Sequence, residues 1–188
     1  MDGMECFFKN KYELGMYELK NDIVFDKIPK DKYEEYIDFA YERGRKTGEE
    51  FVKKLGTNIP SEMAEKLGLL IEEKNMGMRT EEYRVFSEYY SKMNKIFLYK
   101  DSIQKEFSKL KEKGLTDLED YKKIREIFIA HEIYHYLECH EIGLTSREKK
   151  VVVFKMGPIK ITSGVRSLCE VGAHGFTKYI IKNLFGAC

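Results

Sequence analysis

The sequence contains two histidines in positions i and i+4 with a glutamate directly after the first, at His131, Glu132 and His135. On an α-helix such histidines lie one above the other, so both imidazoles are near enough to bind one cation. Glu132 lies about a third of a turn round the helix and can reach a water on that cation without binding the metal. Zinc hydrolases combine neutral imidazole ligands with such a carboxylate as general base. The motif therefore predicts a zinc site.

The residues around this motif predict a long helix. Thr116–Glu119 forms a capping box just after Gly114, which is a typical helix start, and Gly143 is expected to end the helix. The apolar residues between them recur with helical spacing up to about His140: Tyr121, Ile124, Ile127, Phe128, Tyr134 and Leu137. The alternative interpretation is a solvated stripe of His and Glu on an ordinary amphipathic helix.

A zinc hydrolase needs a third protein ligand and an open position for water. One class of zinc peptidases has a third histidine six residues after the second, but Glu141 stands there, and Glu138 replaces the glycine that lets the chain turn. Glu138 and Cys139 are expected to point past the metal, and His140 to face the opposite side of the helix. The third ligand is therefore expected on another element.

Glu170 is the best candidate for that ligand, on a second predicted helix. Glu170 and His174 share one face of this helix, one turn apart. Gly172 and Gly175 are expected to let the helix approach the motif helix closely. The apolar stripe of the second helix consists of Leu168, Gly172, Phe176 and Ile180. The alternative interpretation is that Glu170 closes a capping box with Ser167 and that His174 is a surface histidine.

Together these motifs resemble the ImmA/IrrE-type metallopeptidases. The resemblance rests on Ile129–His135, which reads Ile-Ala-His-Glu-x-x-His, and on Glu170–Phe176, which reads Glu-x-x-Ala-His-x-Phe. In that family an asparagine usually stands at the place of His174 and a glycine at that of Tyr134. The likeness extends back to about Pro60 and covers about two-thirds of the chain. It implies a small intracellular zincin with a glutamate ligand; several members act on transcriptional repressors.

The expected mechanism assigns a role to each site residue. His131, His135 and Glu170 bind Zn²⁺, and Glu132 takes a proton from the attacking water and passes it to the leaving amine. The developing oxyanion needs a donor besides the metal. His174 is the first candidate for this donor, with Tyr134 or Tyr136 as the next. A histidine at position 174 can equally brace a ligand from behind.

Bulk properties restrict the partners and the location. A net charge of +1 and an isoelectric point near 7.6 give no electrostatic reason to expect nucleic acid or an anionic membrane as a partner. No apolar run reaches membrane-spanning length, and the first residues lack a secretion signal. The scattered cysteines favour reduced thiols in a cytoplasm: Cys6, Cys139, Cys169 and Cys188. A protein or peptide substrate, such as a transcriptional regulator, is the expected partner.

The rest of the chain predicts an α+β fold with a small sheet beside the motif helix, as in a minimal zincin-like metalloprotease domain. We expect one domain, with residues 1–58 as an N-terminal helical extension and 59–188 as the metallopeptidase core. The predicted elements are helices at Asp31–Leu55, Pro60–Leu67 and Asp101–Lys113, a strand starting at Leu69–Ile71, and hairpins at Tyr83–Tyr99 and Lys150–Thr162.

Two other functions remain open at this level. One is a zinc-binding regulatory protein that recognises a partner and cuts nothing, since it would keep the same ligands. The other is a structural helical protein whose motif is accidental, which predicts no stoichiometric metal. The many tyrosines of the N-terminal part and the first hairpin predict either core packing or an interaction surface.

Overall fold

The computed structural model describes residues 10–78, 80, 84–112 and 121–185, and these form an α+β fold. The described helices are α1 (Lys11–Lys20), α2 (Tyr33–Leu55), α3 (Pro60–Lys66), α4 (Lys100–Glu112), α5 (Tyr121–Leu137) and α6 (Ser167–Phe185). The described strands are β1 (Leu70–Lys74), β2 (Ser87–Tyr90), β3 (Lys95–Tyr99), β4 (Lys150–Met156) and β5 (Ile159–Gly164). The predicted α+β class is confirmed. Among the described helices, none is both long and apolar enough to cross a membrane.

A mixed sheet of three strands is built around β3. Strand β1 pairs with β3 in parallel, and β2 pairs with its other side antiparallel, so β2 is an edge strand among the described residues. The turn between β2 and β3 is a short 3₁₀ segment that ends at Asn94, whose φ of 52° is left-handed. The first predicted hairpin is confirmed, with β2 beginning only at Ser87; Tyr83 lies outside the described residues.

Helix α5 is buried on most of its surface because it lies between this sheet and the helices α3 and α6. After Leu137 the helix widens into a π-helical turn, Glu138–Ile142, and ends at Gly143, whose φ is 76°. The predicted end of the helix at Gly143 is therefore confirmed. The capping box predicted at Thr116–Glu119 lies outside the described residues.

Glycines set how closely α6 approaches its two neighbours. A Cβ on Gly172 would overlap the ring of Tyr134 on α5, so Gly172 admits that tyrosine as predicted. Gly175 instead faces the backbone carbonyl of Tyr41, so the expectation that it serves the approach to α5 is wrong. On α2, a Cβ on Gly44 would overlap the carbonyl oxygen of Gly172. The N-terminal helix α2 therefore packs along α6 with its backbone in contact.

The second predicted hairpin is confirmed as β4 and β5, joined at Gly157 with a φ of 57°. Its base packs through Val151 against a core formed by α1, α2 and the start of α6. Its tip exposes apolar side chains, including Phe154 and Ile161, which are cross-strand partners. The hairpin thus lies against the N-terminal helices.

Candidate metal centre

Three predicted ligands meet at one point between α5 and α6. His131 Nε2 lies 3.2 Å from His135 Nε2 and 3.2 Å from Glu170 Oε2, and His135 Nε2 lies 3.5 Å from Glu170 Oε1. The spacing i, i+4 on α5 stacks the two imidazoles, and the contact between the helices brings the carboxylate over them. The structure therefore brings together the residues that the sequence predicted as metal ligands.

These separations fit a tetrahedral zinc ion. Zinc bonds of about 2.0–2.1 Å place the ligand atoms of a tetrahedral site about 3.3–3.4 Å apart. The two histidine Nε2 atoms lie 3.2 Å apart, and His131 Nε2 lies 3.2 Å from Glu170 Oε2, both close to this value. The contact of 3.5 Å from His135 goes to the other carboxylate oxygen, Oε1, and one ligand atom from each residue lies within 4.8 Å of the other two. Two nitrogens and one carboxylate oxygen are also a donor set that zinc prefers. In the described part of the chain, His131, His135 and Glu170 form the His/Cys/Asp/Glu group that can hold a metal ion.

A second carboxylate supports His135 from behind. Glu138 is buried, and its Oε2 lies 3.3 Å from Nδ1 of His135, while its Oε1 accepts a hydrogen bond of 2.7 Å from the amide of Thr145. Burial lowers the pKa of His135, but the hydrogen bonds to Glu138 and Glu170 outweigh it and raise the pKa well above its ordinary value. Glu138 is therefore placed to orient the ring so that Nε2 points into the site.

Glu170 does not form the capping box that was the alternative interpretation. The amide of Ser167 donates to Asp22 Oδ2 at 2.7 Å, and the Glu170 carboxylate faces the two histidines. Burial raises the pKa of Glu170, but the contacts to His131 and His135 outweigh it and hold the pKa well below its ordinary value. Glu170 is thus an ionised carboxylate, as a metal ligand must be.

Glu132 lies in a cleft beside the three ligands. Its side chain is 5% exposed, and its Oε1 accepts a hydrogen bond of 2.6 Å from the hydroxyl of Ser87 on β2. The bond fixes the position of this carboxylate oxygen. The cleft has a volume of about 390 Å³ and is lined by Ser87, Glu88, Tyr89, Tyr90, His131, Glu132, His135 and Glu170.

His174 lies beside the ligands and outside the lining of this cleft. Its ring is buried, its Nε2 is 3.2 Å from Glu18 Oε1 on α1, and its centroid is 5.4 Å from that of His131. Burial is the largest cause of its lowered pKa, which favours the neutral ring. Of its two predicted roles, this position suits the brace for a ligand better than the oxyanion donor.

The two tyrosines predicted as alternative oxyanion donors also lie outside the lining of the cleft. Tyr134 is fully buried, and its hydroxyl is 2.7 Å from that of Thr145, while burial raises its pKa above the ordinary value. Tyr136 stacks on His140 and directs its hydroxyl to the carbonyl of Leu67 at 3.5 Å. Both side chains serve packing between elements.

The chain matches no family model, no curated protein and no solved structure. The geometry of the site is therefore the basis for a functional conclusion.

Sequence reasoning missed several residues that shape the site. Ser87 reaches Glu132 across 45 positions of the chain, and Glu18 reaches His174 across 156, so no local pattern relates them. Glu138 was expected to point past the metal, and it does lie outside the ligand group, but its contact with Nδ1 of His135 was not predicted, although i, i+3 residues are neighbours on a helix and carboxylates often support metal-binding histidines. Helix α2 and the β4–β5 hairpin contribute no residue to the described lining of the cleft.

Proposed function

We propose that this chain is a zinc-dependent peptidase with a zincin-like core, made of the β1–β3 sheet and the helices α5 and α6. The observation that carries the proposal is the set of three separations of 3.2, 3.2 and 3.5 Å between ligand atoms of His131, His135 and Glu170. These three residues, which line the cleft, would hold one zinc ion there. If the two histidines were an accidental stripe on the helix surface, there would be no reason for a carboxylate from a second helix to lie at this distance.

In this proposal each residue has one task. His131, His135 and Glu170 hold the zinc ion, with Glu138 orienting His135. Zinc, when bound, supplies a Lewis acid for a carbonyl group and for water. Glu132 would accept the proton of the attacking water as the C–O bond forms and the carbonyl electron pair moves to oxygen, and would then deliver that proton to the amine as the C–N bond breaks. Ser87 holds Glu132 in place through the bond of 2.6 Å.

The edge strand β2 makes the cleft suitable for an extended peptide. Three of its residues border the cleft beside Ser87: Glu88, Tyr89 and Tyr90. Because β2 pairs only on its β3 side among the described strands, its other edge offers backbone donors and acceptors. A peptide that adds as a further strand is held by main-chain hydrogen bonds, whatever its side chains. The cleft therefore suits peptide substrates.

The substrate that we propose is a specific protein, such as a transcriptional regulator. The support is the resemblance of the two motifs to peptidases that act on repressors. We propose a cytoplasmic location, where thiols remain reduced. Cys139 and Cys169, the cysteines within the described residues, are free thiols in the structure.

Zinc content tests the metal site. The purified chain is expected to hold about one zinc per molecule, as measured by elemental analysis after dialysis. Glu170→Gln should lose most of this zinc, because an amide cannot replace the ionised ligand. Glu141→Gln is the matched control, since Glu141 is half-exposed, pairs with Lys54 and lies outside the ligand set. Equal zinc in both variants would remove Glu170 from the site.

Hydrolysis tests the catalytic role of Glu132. Glu132→Gln should retain zinc but lose peptide cleavage by a factor of about 10² or more, because the amide cannot accept the proton. Loss of zinc together with activity would make Glu132 structural. Full zinc occupancy without cleavage of any peptide by the unmodified chain would favour the other candidate, a zinc-binding regulatory protein.

A further inference from the structure

The N-terminal segment reaches the candidate metal centre through two carboxylates. Glu18 lies on α1, and Asp22 follows the end of that helix. Glu18 Oε1 is 3.2 Å from Nε2 of His174, and Asp22 Oδ2 accepts a hydrogen bond of 2.7 Å from the amide of Ser167. Both contacts join this segment to α6, which carries Glu170.

Asp22 determines how α6 begins. The first amides of a helix have no partner within the helix, and Ser167 is the first residue of α6. Asp22 supplies that partner from 145 positions away, and its other oxygen accepts from the amide of Val24 at 3.0 Å. The side chain is buried and fixed by both bonds. Because Glu170 follows Ser167 by less than one turn, fixing this start also fixes the position of Glu170.

Glu18 determines how His174 is oriented. A carboxylate acceptor next to Nε2 holds the proton on that nitrogen and fixes the plane of the ring. The ring of His174 in turn lies against that of His131, at a centroid distance of 5.4 Å and an angle of 58°. The fixed ring of His174 therefore packs against one side of the His131 ring and limits how far Nε2 of His131 can turn out of the site.

We propose that Glu18 and Asp22 are positioning residues of the metal centre, acting through His174 and Ser167. This inference rests on the proposed zinc site. The resemblance to peptidases begins at about Pro60 and assigns no role to the N-terminal segment. In this inference that segment positions the metal ligands.

Zinc affinity of matched variants of the full chain tests the inference. Glu18→Gln and Asp22→Asn remove the charges with little change in shape, and each should weaken zinc binding by about tenfold or more in a competition with a chelator. Glu13→Gln and Asp26→Asn are the controls, because these carboxylates are exposed on the same segment. Both controls should bind zinc as the unmodified chain does.

The absorption spectrum of the cobalt-loaded protein separates positioning from general stability. At saturating Co²⁺, Glu18→Gln should shift the visible bands, because the ligand geometry around His131 changes. If Glu18 and Asp22 only stabilise the fold, their variants should lower the melting temperature of the metal-free protein but leave the zinc affinity and the cobalt spectrum of the folded protein unchanged. That result would contradict this inference without contradicting the proposed function. Absence of zinc binding by the unmodified chain would instead contradict the proposed function, and this inference with it.

Discussion

At the scale of single residues, the candidate metal centre contains a histidine held between two carboxylates. Burial disfavours the charged form of His135, but Glu138 and Glu170 together raise its pKa well above the ordinary value. In the metal-free protein the two carboxylates therefore favour the protonated form of His135. The ring nitrogen must lose this proton before it can bind zinc.

Zinc binding at pH 7 should accordingly release about one proton. Below the raised pKa of His135, affinity should increase about tenfold for each unit of pH, because one proton competes with the metal. Calorimetry in two buffers of different ionisation enthalpy measures the released proton directly. Glu138→Gln removes one carboxylate that stabilises the cation, so it should release less. Proton release of zero in the unmodified chain would contradict the assignment of His135 as a protonated, metal-binding group.

The shifts in the pKa of His135 and of Glu170 also determine whether the free energy of unfolding of the metal-free protein rises or falls with pH. A histidine with a raised pKa in the folded state contributes stability that is complete below its unfolded pKa of about 6.5 and is lost as pH rises through the folded pKa. Glu170, whose pKa is lowered, contributes stability above about pH 4.3 that is lost as pH falls. The metal-free site therefore favours slightly acidic conditions, opposite to the zinc-bound site.

Residues within one helix could be predicted from the sequence, whereas contacts between distant segments could not. His131 and His135 were identifiable because their spacing matches the helical repeat. Glu170 was predicted from its own helix and a resemblance, and its separation of 3.2 Å from His131 agrees with that prediction. Ser87 and Glu18 left no signal, because a serine on a strand and a glutamate on a surface-like helix have many ordinary roles.

At the scale of elements, the spacing of the apolar residues and the positions of glycine and proline predicted most helices and both hairpins. The role of the glycines of α2 could not be predicted. Gly44 and Gly48 both lie where α2 touches α6. The absence of a side chain matters there for the close approach of two backbones, which depends on the partner helix and cannot be seen in the local sequence.

Gly44→Ala should therefore destabilise the fold, by about 1–3 kcal/mol or more, because its Cβ would overlap the backbone of Gly172, which cannot move aside locally. Gly48→Ala is the matched control one turn away. Its Cβ would meet the ring of Tyr179 at 3.0 Å, and that side chain can shift. The gain in helix propensity of up to about 1 kcal/mol then offsets the crowding. Urea unfolding of both variants measures the difference; equal stabilities would contradict the backbone contact.

At the scale of the whole molecule, the predicted boundary at residue 58 passes through a shared core. Phe51 of α2 belongs to the same buried cluster as Met63 of α3 and Phe176 of α6. The sequence predicted one domain with residues 1–58 as an N-terminal helical extension, because the resemblance began near Pro60. Contacts between Phe51 and residues more than a hundred positions later cannot be inferred from a motif. The N-terminal helices are therefore part of the packing that holds Glu170 in place.

The position of β2 at the edge of the sheet leads to a prediction for the substrate. If a peptide binds to this edge as a strand, alternate backbone amides near the scissile bond donate hydrogen bonds to β2. N-methylation of those amides should lower kcat/KM by about tenfold or more, while methylation of the amides between them should have a much smaller effect. The measurement needs a cleaved peptide, found in a mixed library with a chelator and Glu132→Gln as controls. Broad and rapid cleavage of that library would contradict the proposal of one specific protein substrate. An equal response to methylation at every position would show that the substrate does not bind as a strand on β2.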